Sequence, residues 1–193
     1  MQVRALVVSV FVALPGSLLA QDTSTPFHAG QWGAQFAGGF SFASLGVIKF
    51  RSPTSATVLD LRVSGAHREL FVNDTLFGID SFASISLRLG RRWYRPVAEK
   101  VVALNSVGII AGFDHSVTST PFAGRSVGNG WSGGPFADLG GVYLITPHVG
   151  IGVTATASIN YSRSSGESPT GVKSRTWTLG GNTAISFAAT IYF

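Results

Sequence analysis

Four histidines, His28, His67, His115 and His148, are the only side chains in this 193-residue sequence whose ordinary pKa suits a general base near neutrality, and there is no cysteine. Acyl-transfer chemistry needs a hydroxyl within hydrogen-bond reach of an imidazole, which a carboxylate in turn orients. The histidines stand in HAG, HRE, HSV and HVG, so none has a serine two residues on, the spacing that puts both on one face of a strand. His115 and Ser116 are adjacent and would face opposite sides of a strand. Asp80-Ser81 with His67 or His115 is the one triplet left open, and a chain with four His and many Ser offers such a triplet by composition alone. The histidines share no strand face at ligand spacing, so no metal site is expected. Phosphate-loop and dinucleotide patterns are missing, and no cofactor is implied. Absent Cys excludes thiol chemistry and a disulfide scaffold.

The elements that must position these residues are short and alternate with period two. In Pro147 to Tyr161, Val149, Ile151, Val153, Ala155, Ala157, Ile159 and Tyr161 oppose Gly150, Gly152, Thr154, Thr156, Ser158 and Asn160. Thr57, Leu59, Leu61 and Val63 oppose Val58, Asp60, Arg62 and Ser64, and Ala83, Ile85, Leu87 and Leu89 oppose Phe82, Ser84, Ser86 and Arg88. A last segment from Thr176 or Trp177 carries Trp177, Leu179, Ile185, Phe187, Ile191 and Phe193 on one face. Gly39 to Phe50 reads with Phe40, Phe42, Ile48 and Phe50 on the apolar face and Lys49 on the other. Lys100 to Phe113 and Pro135 to Ile145 are apolar on both parities, with Asp138 opposite Leu139, Tyr143 and Ile145. Phe27 to Ala37 makes an eighth segment, with Trp32, Ala34 and Phe36 on the apolar face. It is expected to turn through Ala37-Gly38-Gly39, which keeps the apolar face on even numbers on both sides.

Both chain ends point to export and membrane insertion. Residues 1–20 carry one basic residue, Arg4, an apolar run from Ala5 to Leu14, a Pro15-Gly16 break and small residues up to Ala20. That run is about half of the roughly 20 residues a spanning helix needs, so it reads as a signal peptide cleaved after Ala20. The remaining 21–193 form one domain of 193 − 20 = 173 residues. Only 12 % of the sequence is charged, about half the usual quarter, while 45 % is apolar. Without Arg4 there are 13 basic and 9 acidic residues, a net of +4, with no basic run of the kind nucleic acid needs. At the other end, Ile185, Phe187, Ala189, Ile191 and Phe193 form an alternating face on a terminal Phe, the signal expected by barrel-assembly machinery.

The connectors alternate from the carboxyl end as long and short: 162–175, 146–148, 114–134, 90–99, 65–79 and 51–55. Together with the terminal Phe, this pattern resembles the small eight-stranded outer-membrane barrels of the OmpA and OmpX kind. The resemblance implies an all-β, single closed antiparallel up-and-down transmembrane barrel in the bacterial outer membrane. Lipids and lipopolysaccharide would surround it, and it would be a monomer. Long connectors would then be external loops around 66–79, 114–134 and 162–175. The expected role is structural or surface-interacting, carried by those loops and non-catalytic, with no loop ligand named by the sequence. A narrow pore or hydrophobic-solute conduit is the alternative, and a lipid A-modifying enzyme a further one.

Charges on the Gly and Ser face would lie in the lumen. Lys49, Asp60, Arg62, Arg88 and Asp138 are expected to pair there, since an isolated buried ion costs several kcal/mol. Trp32, Trp93, Tyr94, Tyr161, Trp177 and Tyr192 fall near strand ends and are expected in the aromatic girdles. Trp131, in GRSVGNGWSGG, either joins them or marks a loop over the barrel mouth. RRWYRP, residues 91–96, reads as a solvated periplasmic turn. A soluble lipocalin-like barrel would put its apolar parity inward, and the ionisable residues on the Gly and Ser face argue against it.

Overall fold

The alternating segments close into a ring. The computed structural model describes residues 26–72, 75–121, 124–168 and 170–193; the signal peptide expected at 1–20 lies outside the described residues. Eight strands follow in chain order: β1 Trp32–Gly38, β2 Phe42–Ser52, β3 Ser55–Val72, β4 Thr75–Ala98, β5 Val101–Thr120, β6 Gly124–Thr146, β7 Val149–Glu167 and β8 Lys173–Tyr192. Each pairs antiparallel with its neighbour, and β1 pairs with β8 to close the barrel. Paired residues can be followed round the ring from Trp32 through Lys49, Thr57, Arg91, Val107, Ala137 and Ala157 to Thr183. Because Gly38 faces Phe187, the same register sets Thr183 opposite position 42, so one circuit climbs 42 − 32 = 10 residues. That stagger requires strands tilted by roughly 35 to 45°.

Outward positions carry the apolar residues. Leu59, Leu61 and Val63 on β3, Ile85, Leu87 and Leu89 on β4, and Ile185, Phe187 and Ile191 on β8 are all exposed. An apolar surface wrapped right round a molecule far exceeds the few hundred Å² a water-soluble monomer shows, so its solvent is hydrocarbon.

The expected external loops are strand. Most of the described residues of 66–79, 114–134 and 162–175 continue β3 to β8 as paired strands that protrude beyond the belt. Beyond the hydrocarbon neither face need be apolar, so the ladder continues where the period-two signal stops. RRWYRP is likewise not a turn but lies within β4.

In β2 the parity is the reverse of the expected one. The last β1–β2 pair is Gly38–Ala43, which leaves four residues between them and moves the outward face to odd numbers: Leu45, Val47 and Lys49. Ile48 and Phe50 point inward, 0 % and 1 % exposed. They complete an apolar core at the end of the barrel where β1 begins and β8 ends, with Phe27, Val58, Tyr94, Leu104 and Tyr192 among its members. Phe27, just ahead of β1, is its hub: its ring lies 4.5 Å from Phe50, 5.0 Å from Tyr94 and 4.9 Å from Tyr192. This end of the lumen is therefore a packed aromatic floor and not the polar interior that the Gly and Ser faces suggested.

Candidate functional site

A layer of charge rests on that floor. Arg88 donates from Nη2 to Asp138 Oδ1 at 2.7 Å and reaches Asp60 Oδ2 at 3.6 Å from Nη1. Thr156 Oγ1 donates to the same Asp138 oxygen at 2.7 Å. Asp60, Arg88 and Asp138 are 4 %, 7 % and 2 % exposed. The guanidinium also stacks on Phe136 at 3.9 Å. Room for that ring comes from glycine: a Cβ at Gly90 or Gly108 would lie 2.9 or 2.7 Å from Phe136 ring atoms. Arg62, one turn of the pleat above Asp60, lies over the Phe42 ring at 3.8 Å.

One residue of the expected lumen set lies outside the barrel, and one residue of the expected RRWYRP turn lies inside it. Lys49 lies on the outer surface, its Nζ 4.6 Å from the centre of the Trp32 ring. A lysine at a strand end reaches the headgroup zone along its aliphatic stem, which is why its charge was no guide to the inward face. Arg92, read as a turn residue, takes an inward position instead: it donates to Gln35 Oε1 at 2.7 Å and Ser106 Oγ at 3.1 Å. Period two carried across RRWYRP would have found it, because Arg92 shares parity with Arg88. The lumen thus holds three cations, Arg62, Arg88 and Arg92, against three carboxylates, Asp60 and Asp138 in the charge layer and Asp114 higher in the cavity lining, a balance of 3 − 3 = 0.

Of the expected girdle residues, Tyr94 and Tyr192 are in the floor, 2 % and 1 % exposed, because both share parity with inward neighbours. Trp32 and Trp93 are on the outward face at the lower rim, where Arg91 lies 5.5 Å from the Trp93 ring. Tyr161 and Trp177 meet Trp131 in an outer cluster, with centroids 5.5 to 6.5 Å apart. Trp131 is therefore a wall residue and does not fold over the mouth. Ile185, Phe187, Ala189, Ile191 and Phe193 share the outward face of β8 and its end.

Above the charges a cavity of about 1120 Å³ fills the upper lumen, with Arg62, Phe42, Phe82 and Ile110 in its lining. It also reaches Phe40 and Ser41 at the β1–β2 turn and Asn182 to Ile185 on β8. The first hairpin is the cause: β1 pairs with β8 only up to Gly38–Phe187, and β2 with β3 only up to Phe42–Ser64. The β8 edge from 173 to 186 has no β1 partner, so the wall is notched above the turn. Phe40 stands at its lip, fully exposed.

The wall above the apolar belt brings together part of the triplet left open by the sequence. Ser81 Oγ is 2.9 Å from His67 Nδ1, and Glu69 Oε1 is 3.7 Å from His67 Nε2. Asp80 faces Arg68 across the ladder on the other parity, and His115 Nδ1 lies 2.8 Å from Asn129 Oδ1. Among the described residues no three of His, Cys, Asp and Glu gather to hold a metal.

A closed eight-stranded ring with a lipid-facing belt, paired charges inside and hairpins beyond is the architecture of the small outer-membrane barrel proteins. Solved outer-membrane barrels share this fold. OprG of Pseudomonas aeruginosa superposes with a TM-score of 0.59 at 10 % identity, over 87 % of this chain and 98 % of that one. A major outer membrane protein of Thermus thermophilus superposes at 0.56 with 13 % identity, over 86 % and 100 %. No family model and no curated protein matches the sequence. The likeness is one of fold.

Proposed function

We propose that the protein is an outer-membrane conduit that takes amphipathic, mainly apolar molecules into its upper lumen and releases them sideways into the outer leaflet. The observation that carries this is the notch: the cavity reaches the barrel wall where β8 lacks a partner, beside Phe40. An open strand edge at hydrocarbon depth is tolerated only where it borders a cavity. Phenylalanines line the way, and Arg62, the cation in the cavity lining, suits an anionic head group, with Asp114 in the same lining. The floor blocks passage straight through, which favours lateral exit over an ion pore. In this reading the chain is exported by its signal peptide, is inserted by barrel-assembly machinery through its terminal strand, and works as a monomer. Lys49 and Arg91 near one rim, and Arg163, 4.5 Å from the Trp177 ring at the other, suit anionic lipid and lipopolysaccharide.

A fluorescent long-chain carboxylate and proteoliposomes test it. Arg62→Ala should weaken binding about tenfold, as for loss of one charge-assisted bond. Phe40→Cys gives a unique thiol in a cysteine-free chain, and a bulky maleimide there should stop transfer. Transfer unaffected by both changes would refute the conduit.

The role first expected of loops persists as a second reading because the β3–β4, β5–β6 and β7–β8 hairpins stand above the belt as a rigid fence. Shortening their tips should abolish surface attachment and leave carboxylate transfer unchanged if both readings hold.

A further inference from the structure

His67, Ser81 and Glu69 sit where the membrane's esters are. The circuit climbs ten residues over eight strands, or 10/8 = 1.25 per strand, and subtracting that climb gives heights above the Trp32 level. Thr57 on β3 becomes 57 − 2.5 = 54.5, so His67 stands 12.5 residues up. Ala137 on β6 becomes 137 + 6.25 = 143.25, so Trp131 stands 12.25 up. His67 is thus level with the outer aromatic cluster. At about 3.3 Å per residue and a tilt of about 40° this is roughly 30 Å, just above an apolar band about 25 Å tall. Val63 on β3 and Ile85 on β4, both exposed, are apolar outward residues below it. All three side chains are on the outward parity, and Ser81 is the cross-strand partner of His67.

We propose that these residues form a serine esterase centre on the barrel's outer wall, acting on fatty acyl esters of outer-leaflet lipids. With the Nε2 proton toward Glu69, His67 Nδ1 is the free base beside the Ser81 hydroxyl. Ser81 Oγ forms a bond to the acyl carbon while His67 takes its proton. The ester C–O bond then breaks, and the departing alkoxide takes that proton back as an alcohol. Water, activated by His67, hydrolyses the acyl-serine to fatty acid and restores the hydroxyl. Glu69 is a positioning residue: it orients the imidazole and stabilises its cation. Of the triplet left open, the ladder brings His67 and Ser81 together across two strands, with Glu69 in the place expected of Asp80.

The neighbouring wall provides its own control. His115 and Asn129 make the same kind of cross-strand bond with no hydroxyl at the imidazole. The test uses the full mature barrel, refolded in detergent and checked by heat-modifiable mobility, with a fluorophosphonate probe and with vesicles of lipopolysaccharide or of phospholipid. Wild type should label and release fatty acid. Ser81→Ala should do neither, His67→Ala should lose about 10²-fold or more, and His115→Ala should match wild type. Glu69→Gln should retain labelling, slow turnover and alter the pH profile. Release from one vesicle type alone identifies the lipid. If wild type neither labels nor releases fatty acid, or releases it no faster than a correctly folded Ser81→Ala, the His67–Ser81 bond only ties β3 to β4 and the proposal fails. Carboxylate transfer is measured separately, so this failure leaves the conduit untouched.

Discussion

Replacing Arg88 by Met gives the sharpest test of how the lumen is held. The guanidinium is the only cation that touches both Asp60 and Asp138 among the described residues, at 3.6 and 2.7 Å, and the three are almost wholly buried. Met fills much of the same volume, so the change strands two buried carboxylates without opening a large cavity. Removing one partner of a buried pair costs about 3–5 kcal/mol. Loss of the stack on Phe136 adds about 0.5–2 kcal/mol, so Arg88→Met should cost about 3.5–7 kcal/mol in all. The triple variant Asp60→Asn, Arg88→Met, Asp138→Asn removes the stranded charges as well and should recover most of the loss. Equilibrium urea unfolding in lipid vesicles, followed by tryptophan fluorescence, measures both. A single variant within about 1 kcal/mol of wild type, or a triple variant no better than the single, would refute the claim that this cluster is a buried, mutually dependent unit.

Phe27→Ala should cost about 3–5 kcal/mol, the usual loss for a core Phe, in the same unfolding assay. Lys49→Leu should change stability by less than about 1 kcal/mol, because the ammonium lies outside the barrel; a cost of several kcal/mol would return it to the lumen. Gly108→Ala should destabilise by about 1–3 kcal/mol or more, since its Cβ would meet the Leu89 carbonyl oxygen and the Phe136 ring, whereas Gly180→Ala, with nothing within 4 Å, should be near neutral. Planar-bilayer recordings of wild type should show no steady ion conductance, because the aromatic floor closes the lumen.

What was legible in the sequence was whatever hydrocarbon imposes. Strands β3, β4, β7 and β8 alternate because lipid touches one face, and their inward residues Asp60, Arg62 and Arg88, with Asp138 on β6, stood out against Gly and Ser. The ladder outside the membrane left no such trace: the stretch around His67 and Ser81 is strand by virtue of its partner alone. The β2 parity failed for a different reason. Leu45 and Val47 are as apolar as Ile48 and Phe50, so lipid and core compete for the same residue types. The decision fell to Phe27, Tyr94 and Tyr192, which need Phe50 beside them. Tyr94 and Tyr192 misled because an aromatic at a strand end suits either a headgroup zone or a plug.

The closure between the first and last strands has a kinetic meaning. β1 and β8 share only the six pairs from Gly33–Tyr192 to Gly38–Phe187, while β7 and β8 share the whole run from Val149 to Glu167. Those six pairs also join residues more than 140 positions apart in sequence, the costliest loop for a chain to close. Seven hairpins can zip from neighbour to neighbour before this one must find its mate. The seam between the chain ends should therefore form last, set the rate at which the barrel completes, and be the first join to part when it unfolds.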